Sequence, residues 1–346
     1  MTLVPVSTPA ETAQLSRVEA DKVRQLIESS RRPNTVMAYA SDLRQFARWV
    51  QTAKPDLAGH IVGHDATGRP TIVAAVPVAA VLAYVADVAD KLAVTTVRRH
   101  VSTLSAFHQL KGWPNPAADA LTRAALKGVR ASQQHQPKQA HPLRARDLRT
   151  IISQLAGEQT PAAVRDRALL LVGWNGALRR SEIANLTWGQ VQTVAGGIVL
   201  RLTKTKTDKA DTGQIVALPE HNLEMLSPPH ALLDWLRVCE RAGLGADWET
   251  LPVFCEIPTD NVPRIGRKLS GKAVGQIVQR RAARAGLDIH GVSGHSLRAG
   301  LITEAHAQGV PDVDIMKTSR HVSHKVFSSY VRDNDSMRRA ASHGLL

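Results

Sequence analysis

Ala131-Ser-Gln-Gln-His-Gln-Pro-Lys-Gln-Ala-His141 divides this chain in two. The stretch holds almost nothing apolar and includes Pro137, a composition that spans a gap and does not pack into a core. With 346 residues there is length for a separate core on each side of it. On the amino-terminal side the pattern is helical. Residues 1–16 lack periodicity and read as a mobile tail, and Leu15 to Ser29 has helical character. Met37, Leu43, Phe46, Ala47 and Val50 fall near helical spacing behind an Asn34-Thr35 start, predicting a helix over 34–51. Pro55, Gly59, Gly63, Gly68 and Pro70 predict a loop over 53–71, followed by helices over 77–91, 95–110 and 117–129. Residues 17–130 are therefore expected to form an all-helical domain. On the other side, 142–346 reads as mainly helical with one strand-rich insert. Ile198-Val-Leu-Arg-Leu-Thr203 and Gln214-Ile-Val-Ala-Leu218 flank a polar stretch with Asp208, Asp211 and Gly213, a hairpin signal. The expected fold class is mainly α in two domains, the second mixed α/β with a small antiparallel sheet.

The formal charge of +14 fits a polyanionic partner better than a small acidic ligand. Its distribution sharpens the point. Residues 91–141 carry eight Lys/Arg against one acid, Asp119, whereas residues 1–90 carry nine of each. Cys239 and Cys255 are too few for a disulfide framework, form no C-x-x-C pair, and are expected to be reduced and buried. The longest apolar run, Ile72 to Ala86, is broken by Pro77 and falls short of a membrane span. No basic-then-apolar signal pattern opens the chain. A cytoplasmic protein without membrane contact is the expectation.

Chemistry concentrates in the second half. Tyr330 is the only tyrosine beyond Tyr84 and follows His321 by nine residues. A phenol is a weak nucleophile at neutral pH, so it needs a site that stabilises charge on the group attacked. Arg179 and Glu182, in Leu178-Arg-Arg-Ser-Glu182, share a helix face that Arg180 does not. His295 and Arg298, in Gly294-His-Ser-Leu-Arg298, could offer an imidazole and a guanidinium to one phosphate. His321 and Tyr330 cannot face one site on a single straight helix, so a break is expected, with Ser323 capping a new helix that carries Tyr330. Lys204, Lys206 and Lys209 stand at the hairpin tip, where a lysine could protonate a leaving oxygen. Taken singly, each has a blander reading: an exposed arginine, a core tyrosine, a solvated turn. A metal site built on His290 and His295 lacks a third ligand at ordinary spacing.

In this order the residues resemble the tyrosine recombinase (phage integrase-type) family, closest in detail to its Cre-like branch. Leu-Arg-Arg-Ser-Glu (178–182) resembles the first arginine box, and Gly-His-Ser-Leu-Arg (294–298) the H-x-x-R box. His321 with Tyr330 resembles the third-position His/Trp and the nucleophile. Lys-Thr-Lys-Thr (204–207) is similar to the Cre-type R-T-K-T turn, which aligns Lys206 with the family lysine and leaves Lys204 open. Arg32 to Phe46 resembles the amino-terminal core-binding domain. Ala299-Gly300, where many members have His-Thr, stands nearer the Cre pattern. The likeness spans roughly residues 17–333.

The resemblance implies a 1–16 tail, a 17–130 helical core-binding domain, a 131–141 linker and a 142–346 catalytic domain, the two domains gripping opposite faces of double-stranded DNA. Tyr330 would form a 3′-phosphotyrosine and release a 5′-hydroxyl. Arg179, His295, Arg298 and His321 would hold the phosphate oxygens, Lys206 would be the general acid, and Glu182 would orient Arg179. No cofactor, metal or ATP would be needed, and a homo-tetramer on paired sites would exchange strands through a Holliday junction. Met337, Ala340, Ala341 and Leu345 behind Asp335 would form a docking tail. Two other readings stay open: a type IB topoisomerase, and a non-catalytic basic helical DNA-binding regulator.

Overall fold

The computed structural model describes residues 33–132, 139–202, 213–328 and Tyr330. The tail at 1–16, the helix expected over 15–29, the three lysines at 204, 206 and 209, and the stripe from Asp335 to Leu345 lie outside these residues. Two compact units divide between residues 137 and 138.

In the first unit, α1 (Pro33–Ala53) and α2 (Pro55–Ile61) precede an antiparallel pair, β1 (Val62–His64) and β2 (Pro70–Ile72). Helices α3 (Val78–Val88), α4 (Val94–Lys111) and α5 (Ala120–Ser132) complete it. Its core collects Leu43, Phe46, Val50, Val81, Tyr84, Val101 and Leu104. Two sequence expectations fail here. Met37 is 63% exposed, because it sits six residues, or about 120° of helix, from Leu43, and Ala40 fills the buried place. Residues 53–71 are not a loop, so the unit is not all-helical. Pro55 is tolerated at the first helical position, and Gly68 at φ 73° turns the hairpin. Buried Asp42 accepts from Thr103 Oγ1 at 2.8 Å and pairs with Arg99, joining α1 to α4.

The second unit places α6 (Ala145–Ala156), α7 (Pro161–Asn175) and α8 (Arg180–Asn185) before a three-stranded antiparallel sheet. That sheet runs β3 (Val191–Val194), β4 (Gly197–Leu202), β5 (Gln214–Pro219), in register at Gln192↔Val199 and Val199↔Ala217. The expected hairpin is therefore present, with β3 added at its edge. Next come α9 (Pro228–Arg241), a small pair of β6 (Cys255–Glu256) with β7 (Arg264–Lys268), and α10 (Gly271–Arg284). Among the described residues, the last helices of the unit are α11 (Ser296–Ala307), α12 (Asp312–Ser319) and α13 (His324–Ser328).

Helix α7 is the post around which this unit is built. Thr160 caps it through Ala163 N at 3.2 Å, Pro161 opens it, and nine of its residues from Ala163 to Gly173 are buried. Buried Asp166 accepts from Arg165 at 2.6 Å and from Arg281 on α10 at 2.8 Å, and Arg281 reaches Glu158 at 2.7 Å. Removing one partner of such a buried set costs about 3–5 kcal/mol, so α7 and α10 are fixed together. A Cβ on Gly173 would lie 2.8 Å from both Ile183 and Leu297, which is how α8 and α11 come so close to α7. Gly300 is tighter still: a Cβ there would stand 1.8 Å from the Leu143 carbonyl oxygen, which already accepts from Trp174 Nε1 at 2.9 Å. The arginines at the heads of α8 and α11 are thereby set against a shared helix.

Candidate active site

Helix α7 ends at Gly176 and the chain turns through Ala177, a buried residue at φ 44°. Leu178 N bonds back to Gly173 O at 3.0 Å, and Arg179 becomes the residue that caps α8. Glu182, one turn on, accepts from the Arg179 backbone N–H at 2.8 Å and from its Nη1 at 2.6 Å. The expected pairing of Arg179 with Glu182 is thus realised from a cap position. Arg180 is exposed, its stem lying against Gly294.

Arg298, one turn into α11, is only 1% exposed. Its Nη1 donates to Ala177 O at 2.7 Å and its Nη2 to His321 Nε2 at 3.1 Å. A guanidinium cannot accept, so Nε2 is the acceptor and the imidazole carries its proton on Nδ1, facing Ser319 Oγ at 2.8 Å. Burial, with Arg298, Arg179 and Arg320, pushes the His321 imidazole down to about 4. Burial, then the charges of Arg179 and Arg320, brings Arg298 down to about 10. Burial alone would raise the Glu182 carboxyl, but Arg320 and Arg179 hold it below the usual carboxylate range.

Tyr330 is half-buried, its ring centroid 5.1 Å from that of His321. Helix α12 ends at Arg320 in a left-handed conformation, and His321 N bonds to Met316 O at 3.0 Å. The expected break after His321 is real and Phe327 N bonds to Ser323 O, but α13 stops at Ser328 and Tyr330 stands in the turn beyond it. Tyr330 N bonds to Phe327 O at 2.8 Å, and its carbonyl accepts from Thr303 Oγ1 on α11 at 3.3 Å. Ile302, Ile315 and Phe327 form the apolar seat beneath it. One helix therefore carries Arg298 and part of the wall that seats Tyr330.

The structure brings Arg179, Glu182, Arg298, His321 and Tyr330 together. His295 stands exposed at the cap of α11, its N–H bonded to Ser293 Oγ at 3.2 Å, while Arg298 is buried. The two boxed residues thus differ in burial. Sequence reasoning missed Arg320, whose Nη2 donates to Glu182 Oε2 at 2.8 Å. Its one sequence signal is adjacency to His321, since nothing in residue order marks an arginine as buried. Two guanidinium groups hold one carboxylate and Arg298 adds a third positive charge nearby, leaving an excess of positive charge in a low-dielectric site that can stabilise an anion.

Comparison with known proteins gives consistent matches. Residues 141–337 match the model of the Phage integrase family. The integrase/recombinase xerD homolog of Selenomonas ruminantium is 29% identical over 317 residues, covering 91% of this chain and 86% of that protein. The recombinase cre of Escherichia phage P1 is 24% identical over 258 residues, 71% of this chain and 72% of that one. In fold, the Tn1549 transposon integrase in complex with transposon right-end DNA aligns with a TM-score of 0.58 at 14% identity, covering 94% of this chain and 98% of that chain. A lambda integrase dimer bound to a core site aligns at 0.53 and 18% identity, covering 91% and 94%.

Proposed function

Because the chain belongs to the phage integrase family of tyrosine recombinases, we propose that it is a site-specific DNA recombinase whose nucleophile is Tyr330. The observation that carries this reading is the line of contacts from Arg298 through His321 to the Tyr330 ring, with the charge of Arg179 acting on both Arg298 and His321. The phenol oxygen attacks the scissile phosphorus as the bond to the 5′-oxygen breaks. A phosphotyrosine ester replaces one phosphodiester, so the bond is exchanged and not hydrolysed. A 5′-hydroxyl from either partner strand can then reverse the step without ATP or a metal ion.

Arg179 and Arg298 donate to the non-bridging oxygens as charge builds there. His321 joins them once Arg298 Nη2 turns to the phosphate. Ser319 Oγ can donate or accept, so the imidazole proton can move to Nε2 and point at the substrate. His295, exposed at the head of α11, takes up the phenolic proton. Lys206 protonates the leaving 5′-oxygen. Glu182 keeps the Arg179 guanidinium in place. On paired sites, four copies would exchange strands through a Holliday junction, with residues 17–130 serving as the core-binding domain.

The test uses a pool of duplex oligonucleotides with a randomised centre, radiolabelled and incubated with the protein, then denatured. A protein–DNA adduct that survives denaturation and vanishes in Tyr330→Phe supports the reading. No adduct from any sequence in the pool would favour a non-catalytic DNA-binding role.

A further inference from the structure

We propose that Arg320 is a positioning residue of the strand-transfer site, clamping the turn that delivers Arg179 to the loop that delivers His321. The proposal rests on the recombinase reading above. Three independent features of the structure support it. First, Arg320 ends α12 at φ 58°, a conformation that any side chain makes sterically costly and that glycine would adopt freely. A residue needed only to stop the helix would not be a long cation. Second, the side chain is buried, with the whole residue 7% exposed, and spent on the other box. Its Nη1 donates to Gly176 O at 3.0 Å and to Thr318 O at 3.0 Å, and its Nη2 to Ala177 O at 3.2 Å and Glu182 Oε2 at 2.8 Å. Ala177 is the other strained link, and its carbonyl is shared with Arg298. Third, Nε finds no hydrogen-bond partner among the described residues, so the group is buried despite an unsatisfied donor.

These contacts set the geometry of the arginine box from the opposite side. Arg320 and Arg179 take the two oxygens of one carboxylate, so Glu182 cannot rotate away with either. The turn before Arg179, the cap of α8 and the loop bearing His321 become one rigid body. The charge also acts directly on His321, which faces Arg298 from α11, Arg179 from the cap of α8 and the Tyr330 phenol. It helps keep the imidazole neutral, and hence able to exchange its proton between the two ring nitrogens.

Arg320→Gly and Arg320→Lys separate this role from a merely structural one, because glycine suits the backbone angle and lysine keeps the charge. The substrate is a duplex selected from the randomised pool by wild-type adduct formation. At saturating DNA, Arg320→Gly should cleave about a hundredfold more slowly in single turnover with little change in affinity, the scale of loss that misplacement produces. Arg320→Lys should recover part of that rate. In the protein without DNA, the His321 ring should titrate at higher pH in Arg320→Gly than in wild type, read by NMR. Wild-type cleavage rates in both variants, or an unmoved His321 titration, would overturn the proposal. Loss of cooperative melting in both variants would overturn it too, assigning Arg320 to the fold. If wild type forms no adduct, the recombinase reading fails first, and the NMR arm still reports on Arg320.

Discussion

At the scale of single residues, charge and burial do most of the work. Tyr330→Phe should bind DNA as wild type does and form no adduct, since affinity comes from many phosphate contacts and one hydroxyl carries the chemistry. Arg179→Ala and Arg298→Ala should each slow cleavage by about 3–4 kcal/mol of lost transition-state stabilisation, a hundredfold or more, measured in single turnover. Arg180→Ala, at an exposed position, should cleave within about threefold of wild type; equal loss in all three would mean that the register of the box is wrong. His321 gives a pH signature. Its imidazole titrates at about 4 in the fold, against about 6.5 in an unfolded chain. Between these values the unfolded chain takes up a proton that the folded one resists, so stability is full above the upper value and falls as pH drops towards the lower. Denaturation at about pH 5 and about pH 7 should differ in wild type and differ less in His321→Asn. Arg179, Arg298, His321 and Tyr330 were legible in the sequence because their chemistry and order are visible in residue type. Arg320 was not, because an arginine next to a histidine reads as solvated until a neighbouring turn is seen to bury it.

At the scale of elements, α1, α3, α4 and α5 of the first unit were readable in the sequence, α1 from its apolar spacing, whereas α2 reads as loop. The β1–β2 hairpin was missed because Pro55, Gly59, Gly63 and Gly68 read together as loop, when Pro55 starts α2, Gly59 lies within it, Gly63 pairs in β1 and only Gly68 makes the turn. Strand β3 and the β6–β7 pair escaped notice because strands of two to five residues carry too few alternations to register. The Ala299-Gly300 pair, only a departure from a pattern in the sequence, has a structural reason in the approach of α11 to Leu143. Gly300→Ala should therefore cost about 1–3 kcal/mol through overpacking, lowering the thermal midpoint, and should slow cleavage by displacing Arg298. An unchanged midpoint would mean that α11 can shift freely. On α5, Arg123, Lys127 and Arg130 are exposed and spaced along one helical stripe, while Thr122 and Val129 face inward. Replacing the three by Gln should weaken DNA binding and flatten its salt dependence by a slope of about three if each meets a phosphate. An unaltered slope would take that face out of the interface.

At the scale of the whole molecule, the polar stretch at 131–141 marked the division, and the two units part between residues 137 and 138 with a core in each. The carboxy-terminal end of that stretch is not free spacer: His141 N bonds to Gly291 O at 2.8 Å and Leu143 N to Ser296 O at 3.1 Å, tying it to the second unit. Composition alone cannot reveal such backbone pairing. Because residues 139–328 contain the described arginines, His321 and their supporting core, that unit expressed with Tyr330 should form the adduct more weakly and at lower salt than the full chain. The whole mechanism reduces to one bond. Adduct trapped on DNA should be digested with protease and nuclease and its cross-linked peptide sequenced by mass spectrometry, with the released DNA end examined in parallel. The expected result is a nucleotide joined through its 3′-phosphate to Tyr330, a free 5′-hydroxyl on the other fragment, and an equal yield in EDTA. A link to any other residue, or a 5′-phosphoryl linkage, would contradict the assignment of Tyr330 as the nucleophile.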